Sequence, residues 1–383
     1  MELQVVGGGL AGLVAATTAA ELGARVRLHE AHTELGGRAR TTPGAYVAHE
    51  GPHVVYRDGP LWGWLADRDL LPPWSAVPVR ALGSFCFRRD GRRVRNPGLG
   101  LLRVSLHRGR APVDETFAEW AGRRFGERAA REAAAASAVV TYHHDPGSLS
   151  ARFVHDRLRR AYDPASKATY VLGGWGRLVA VLARAARDRG VVIETGSRVT
   201  RLPESGPAVV ATSLAAARTL LGDDSLRTAT GTAALLDVGV TGRRGDAFVV
   251  SDLDAGGWLE RFTAADASLA PAGHSLVQVQ VPVAPGSGTA AGVAAAEDLL
   301  DLGVPGWRER TTWRRDAVAR GRTGAVDLPG ATWRDRPAIR QGEDVFLAGD
   351  QVAAPGLLSE VSFTSAVRAV DLALRRPSRL SAV

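Results

Sequence analysis

The order of hydrophobic and polar positions changes character several times along this chain. Leu3 to Val6 is a short unbroken apolar run, the pattern of a strand buried on both faces. From Ala11 to Leu22, the residues Leu13, Ala16, Ala20 and Leu22 fall toward one side at helical spacing, and Gly23 stands where a helix stops. Arg25 to Glu30 alternates Val26 and Leu28 with polar neighbours and predicts a second strand. The first thirty positions therefore read as one β-α-β unit. Further on, a helical stretch is predicted over Asp114–Val140. Alternating strands follow over Thr232–Val240, Ala247–Ser251 and His274–Val283.

Gly7, Gly9 and Gly12 fill the first turn in the spacing G-x-G-x-x-G, and Glu30 ends the second strand. Dinucleotide binding is the chemistry that needs bare backbones followed by one acid. Gly7 makes the tight turn out of the strand, Gly9 lets a pyrophosphate approach the backbone, and Gly12 lets the helix pack close to the sheet. The helix N-terminus offers free N–H groups and a partial positive charge to phosphate. Glu30 accepts hydrogen bonds from ribose hydroxyls and repels a 2′-phosphate, which argues against NADP in this site.

The doublet Gly36-Gly37 and Arg38 follow within T-E-L-G-G-R-A-R, Thr33 to Arg40, where an arginine can neutralise pyrophosphate. With these residues the chain resembles the FAD-dependent amine oxidase, phytoene desaturase and protoporphyrinogen oxidase superfamily. H-E-G-P-H, His49 to His53, resembles the loop that passes beside the flavin ring there, which implies roles for Gly51 and Pro52. Tyr170 to Leu178 resembles the opening of a helix that ends near Gly190, with a strand over Val191–Val199 after it. The resemblance implies that the backbone of Val199 holds the adenine. Ala208–Ser213 is similar to the strand that returns to the nucleotide-binding sheet. Val345–Asp350 is a buried strand ending in Gly349-Asp350, and the resemblance implies that Asp350 binds the ribityl chain or pyrophosphate. A helix follows whose N-terminus, near Ser359 and Glu360, would point at flavin N1 and the C2 carbonyl.

The resemblance implies an α/β fold: a Rossmann-like FAD-binding domain with an inserted α+β substrate domain. The FAD-binding domain would take residues 1–70, 165–230 and 320–383, and the substrate domain 71–164 and 231–319. The β-meander usual in the family is missing, since only Thr200 to Pro207 separate the relevant strands.

Composition narrows the picture. The net charge is +8, carried by 47 arginines and one lysine, Lys167, with arginines alternating with acids. No run of like charges suggests nucleic acid. The single cysteine, Cys86, excludes an internal disulfide framework and fits a reducing cytoplasm. The uncharged run from Leu3 to Ala20 lacks the flanks of a signal peptide and is broken by glycines, so no targeting segment or transmembrane helix is expected.

The expected activity is an FAD-dependent oxidoreductase. It would dehydrogenate a C–N or C–C bond of a small, hydrophobic organic substrate by hydride transfer to flavin N5, with oxygen or a quinone as electron acceptor. FAD would be held non-covalently. The flavin carries the chemistry, so candidate catalytic residues are few. Lys167 is one, because a lysine kept among so many arginines offers a compact, titratable ammonium. Trp333 and Trp175 are candidates to face the flavin, with core packing as the alternative for each. The lysine that amine oxidases keep near flavin N5 is absent from Thr232–Val240. Two other readings of the fold are a polyene isomerase working without net oxidation and a non-catalytic lipid-binding protein. Gly286, Gly288 and Gly292 mimic a nicotinamide-binding turn but lack a following strand with a terminal acid. His143, His144 and Asp145 read as a turn and not a metal site, and Cys86 as packing.

Overall fold

A computed structural model describes residues 1–51, 54–163, 167–203 and 206–375. The opening unit forms as the pattern predicts: strand Glu2–Val6, helix Leu10–Glu21, strand Arg25–His29. These strands lie in a five-stranded parallel sheet drawn from three distant parts of the chain. Its order is Val345–Leu347, Ala208–Val210, Glu2–Val6, Arg25–His29, Val192–Glu194. Helices Trp175–Asp188 and Ser359–Ala373 pack against the opening helix. Leu3, Val5, Leu28, Val209 and Phe346 of the strands meet Leu13, Val14, Leu178 and Val370 of the helices in one core.

A second, seven-stranded sheet draws on both insertions. Strand Phe85–Arg89 from the first runs parallel to Val249–Asp252 from the second. Arg92–Val94 lies outside Phe85–Arg89, and beyond Val249–Asp252 come Trp258–Arg261, His274–Pro282, Thr230–Thr241 and Thr311–Ala325 in turn, with the last strand continuing past residue 319. Alternation gives this sheet two unlike faces. Cys86, Leu236, Val238, Val250, Leu259, Val277 and Val279 pack in one cluster with Leu299 and Leu300 of helix Thr289–Gly303. The opposite face carries Asp237, Ser251, Glu260, Gln278 and Gln280, all buried. The His49 loop and helix Glu127–Thr141 cover it: His49 N–H donates to Gln278 Oε1 at 2.9 Å, and Gln280 Nε2 donates to the Val139 carbonyl at 3.4 Å.

Three expected elements differ. The helical stretch over 114–140 is two helices, Phe117–Phe125 and Glu127–Thr141. It is split at Gly126, whose φ of 91° cannot continue a helix. A capping box between Thr116 and Glu119 starts the first of them. Tyr170 and Val171 belong to strand Ala168–Val171, and the helix begins at Trp175 after two glycines at positive φ. The strand expected over 191–199 ends at Glu194, because Gly196 and Ser197 donate instead to the carbonyls of His32 and Glu30. No strand lies between Glu194 and Ala208 among the described residues, so the meander is absent there.

Candidate cofactor-binding site

The glycine turn is built by close approach. A Cβ at Gly12 would collide with the Gly7 carbonyl oxygen, and one at Gly7 would press on Ala211 of the returning strand. Gly9 differs: a Cβ there would meet nothing nearer than the Gly36 oxygen at 3.8 Å. The space above Gly9, at the start of helix Leu10–Glu21, is therefore open to a ligand, and the first N–H groups of the helix face it. Glu30 stands beside this turn, 7% exposed. Its Oε2 accepts the Gly8 N–H at 2.7 Å and its Oε1 the His32 N–H at 2.9 Å. Each carboxylate oxygen keeps a further lone pair for a hydroxyl donor.

Gly36 crosses the turn at φ 111°, and its N–H donates to the Gly8 carbonyl at 2.8 Å. The doublet is thereby folded over the first turn, and Arg38 projects from it. Arg38 forks onto Asp350, with both N–H···O distances 2.6 Å. Burial works against the guanidinium charge, but the Asp350 carboxylate outweighs it and the pKa rises. Asp350 is held from behind: the Gly349 N–H donates to Ser365 Oγ at 2.9 Å, tying the loop to the C-terminal helix. Tyr142, which ends helix Glu127–Thr141 at φ 57°, brings a phenol to the same place. Burial, then the charges of Arg38 and Asp350, act on it, and its pKa is pushed up to about 12.

These residues fit a dinucleotide. They supply an open backbone turn at a helix N-terminus, an acid beside it, and an arginine and an aspartate beyond.

Residues 5–67 match the model of an NAD(P)-binding Rossmann-like domain. No curated protein matches the chain by sequence. Among solved structures, an oxidoreductase from Methanosarcina mazei is similar over 97% of this chain and 100% of its own. Its TM-score is 0.73, at 16% identity. Cyclohexylamine oxidase from Brevibacterium oxydans covers 98% of this chain and 99% of its own, with TM-score 0.71 and 17% identity. Putrescine oxidase covers 98% and 100%, with TM-score 0.68 and 14% identity. The chain shares the fold of these solved structures.

Within that fold the other expected residues scatter. Glu360 does not stand open at its helix terminus. It accepts the Leu357 N–H at 3.1 Å and pairs with Arg160 at 3.2 Å, so its charge is engaged locally. Ser359 opens the same helix. Val199 lies in a loop beyond Ser197. Gly51 packs so closely under Arg38 that a Cβ would strike the Arg38 carbonyl. Pro52 lies outside the described residues. Lys167 is exposed, next to strand Ala168–Val171. Trp333 is half-buried with Arg334 stacked on its ring at 4.3 Å. Trp175 is fully buried in the first core, as packing requires. Gly292 packs helix Thr289–Gly303 onto Ala234 and Val283, and the His143 ring stays in its own turn, 2.9 Å from the Asp145 carbonyl. Among the described residues no group of metal-ligating side chains occurs, and no helix is long and apolar enough to cross a membrane.

Sequence reasoning missed Tyr142 and the buried network behind His49. There Arg315 Nε donates to Asp237 Oδ2 at 2.7 Å, and Gln278 Nε2 donates to Asp237 Oδ1 at 2.9 Å and to the His49 carbonyl at 3.0 Å. A signal was present: polar residues recur at alternate positions inside otherwise apolar strands.

Proposed function

We propose that this protein is an FAD-dependent oxidoreductase that dehydrogenates a C–N or C–C bond of a small organic substrate. The observation that carries this reading is the meeting of Arg38 with Asp350, 312 positions apart, beside the Gly9 turn and Glu30. When bound, FAD would supply hydride acceptance at N5. The chain's own residues bind and orient. Glu30 takes ribose hydroxyls, the N-terminus of Leu10–Glu21 faces pyrophosphate, and Arg38 neutralises it. The Asp350 carboxylate fixes Arg38 and offers acceptors to a sugar-alcohol chain. Attachment is non-covalent in this reading. Cys86 is 1% exposed and faces the helix on the far side of the second sheet. The electron acceptor is oxygen or a quinone, and the compartment the cytoplasm.

Anaerobic mixing with a panel of organic amines and of compounds with activated C–C bonds tests this. At least one should bleach the flavin, and admitted oxygen or a quinone should restore it with formation of an oxidised product. Product formed with no electron transfer to an acceptor would sink the reading in favour of isomerisation.

A further inference from the structure

Nine large apolar side chains stand exposed among the described residues, and three of them share one short helix, Gly98–Ser105, and its cap. They are Leu99, Leu102 and Leu106, at 80%, 41% and 53% exposure. Spaced i, i+3 and i+7, they fall on one side of the helix. The opposite side is spent on the core. Leu101 and Val104 are buried in one cluster with Phe117 and Trp120. Gly100 lies so close to helix Glu127–Thr141 that a Cβ would stand 2.9 Å from the Ala129 methyl. The helix is therefore firmly seated, and its leucine stripe faces outward by construction. Scattered apolar residues are normal on a surface, but an outward stripe marks a contact face.

The chain around this stripe is basic throughout. Arg92, Arg93, Arg95, Arg103, Arg108 and Arg110 are all exposed, and no Asp or Glu occurs from Gly91 to Val113. Here the arginines do not alternate with acids, unlike the chain at large. Among the described residues none of the six forms an ion pair. Neighbouring arginines do: Arg89 and Arg128 meet Glu132, and Arg123 meets Glu115. Arg103 stands within the leucine stripe itself, one turn after Leu99.

We propose that helix Gly98–Ser105 and its flanking arginines dock this protein on the surface of a membrane rich in anionic lipid. The stripe is the convex side of a helix, which suits a layer it can sink into. Acyl chains would take the leucines to the depth of one helix side. Lipid phosphates would take the guanidinium groups, whose long stems let the charge reach back to the headgroups. An acidic protein surface would answer the arginines but would need a separate apolar groove for the leucines; a lipid interface supplies both layers. This surface goes beyond the flavin reading and does not depend on it.

Co-sedimentation of the full-length protein with vesicles tests the proposal without turnover. The vesicles are phosphatidylcholine, with and without about 30% phosphatidylglycerol. Wild type should bind the anionic vesicles about tenfold or more tightly than the neutral ones, and about 0.5 M salt should weaken that binding. Leu99→Gln with Leu102→Gln should lower it about tenfold or more, with melting temperature and FAD content unchanged, because both side chains point away from the core. Arg92→Gln, Arg95→Gln and Arg103→Gln together should remove most of the preference for anionic lipid. The proposal is overturned if wild type ignores the anionic vesicles, binds both compositions equally, or is matched by the leucine variant. It is also overturned if wild type is a dimer that the leucine variant turns into a monomer, since the stripe is then covered by a second copy. The flavin reading fails separately, if wild type carries and takes up no FAD.

Discussion

At the scale of single residues, Glu30 is where the cofactor assignment meets a number. Removing a charged acceptor of ribose hydroxyls costs ~1.5–3 kcal/mol. Glu30→Ala should therefore bind FAD roughly 10- to 150-fold more weakly, read by titration of the released protein with FAD fluorescence. His155 supplies a pH signature unrelated to the cofactor. It is 1% exposed, its Nε2–H donates to the Val104 carbonyl at 3.2 Å, and burial pushes its pKa down to about 4. Its folded value lies below the unfolded one, so the unfolded chain binds the proton more readily. The His155 contribution is complete above the usual histidine value and is lost as pH falls toward 4. Wild type should lose up to about 1.4 kcal/mol per pH unit through this site in that window, and His155→Phe should flatten the melting-temperature profile there. Glu30 was legible in the sequence because its role depends on a fixed distance along one β-α-β unit. Tyr142 was not, because its partners Arg38 and Asp350 come from segments on either side of it that only the folded chain brings together.

At the scale of elements, local periodicity sufficed where one face decides the structure. The opening strand, helix and strand, and the long strand Thr230–Thr241, formed within two residues of expectation. Failures sit where a single backbone position overrides the pattern. Gly126 at φ 91° breaks an apolar stripe that is continuous in sequence. Gly196 turns the chain away from a strand that Val199 would have prolonged. The helix Thr289–Gly303 carries a sharper consequence. Gly286 and Gly288 precede it, yet it lies flat on the far face of the second sheet, and Gly292 is consumed by packing against Ala234. Among the described residues this turn and helix are therefore engaged in packing on the second sheet. Anaerobic NADH or NADPH should leave the flavin absorbance unchanged over minutes. Rapid bleaching by low concentrations of either would return this turn to the list of binding elements.

At the scale of the whole molecule, the fold interleaves two large sheets, beside a small three-stranded one, whose strands come from alternating stretches of sequence. The parallel sheet collects five short strands, and the second collects seven, with the His49 loop and helix Glu127–Thr141 covering its polar face. The two-domain plan was visible because the glycine motifs recur at both ends of the chain. The paired faces of the second sheet were not, since alternation shows that faces differ and not what each will meet. The central claim is that Gly9, Glu30, Arg38 and Asp350 together hold FAD without a covalent bond. Its most direct measurement is the visible spectrum of the purified protein, after incubation with excess FAD and gel filtration, followed by acid precipitation. The account predicts a yellow protein with one FAD per chain, all of it released to the supernatant. A colourless protein that takes up no FAD, or colour retained in the pellet, would contradict it.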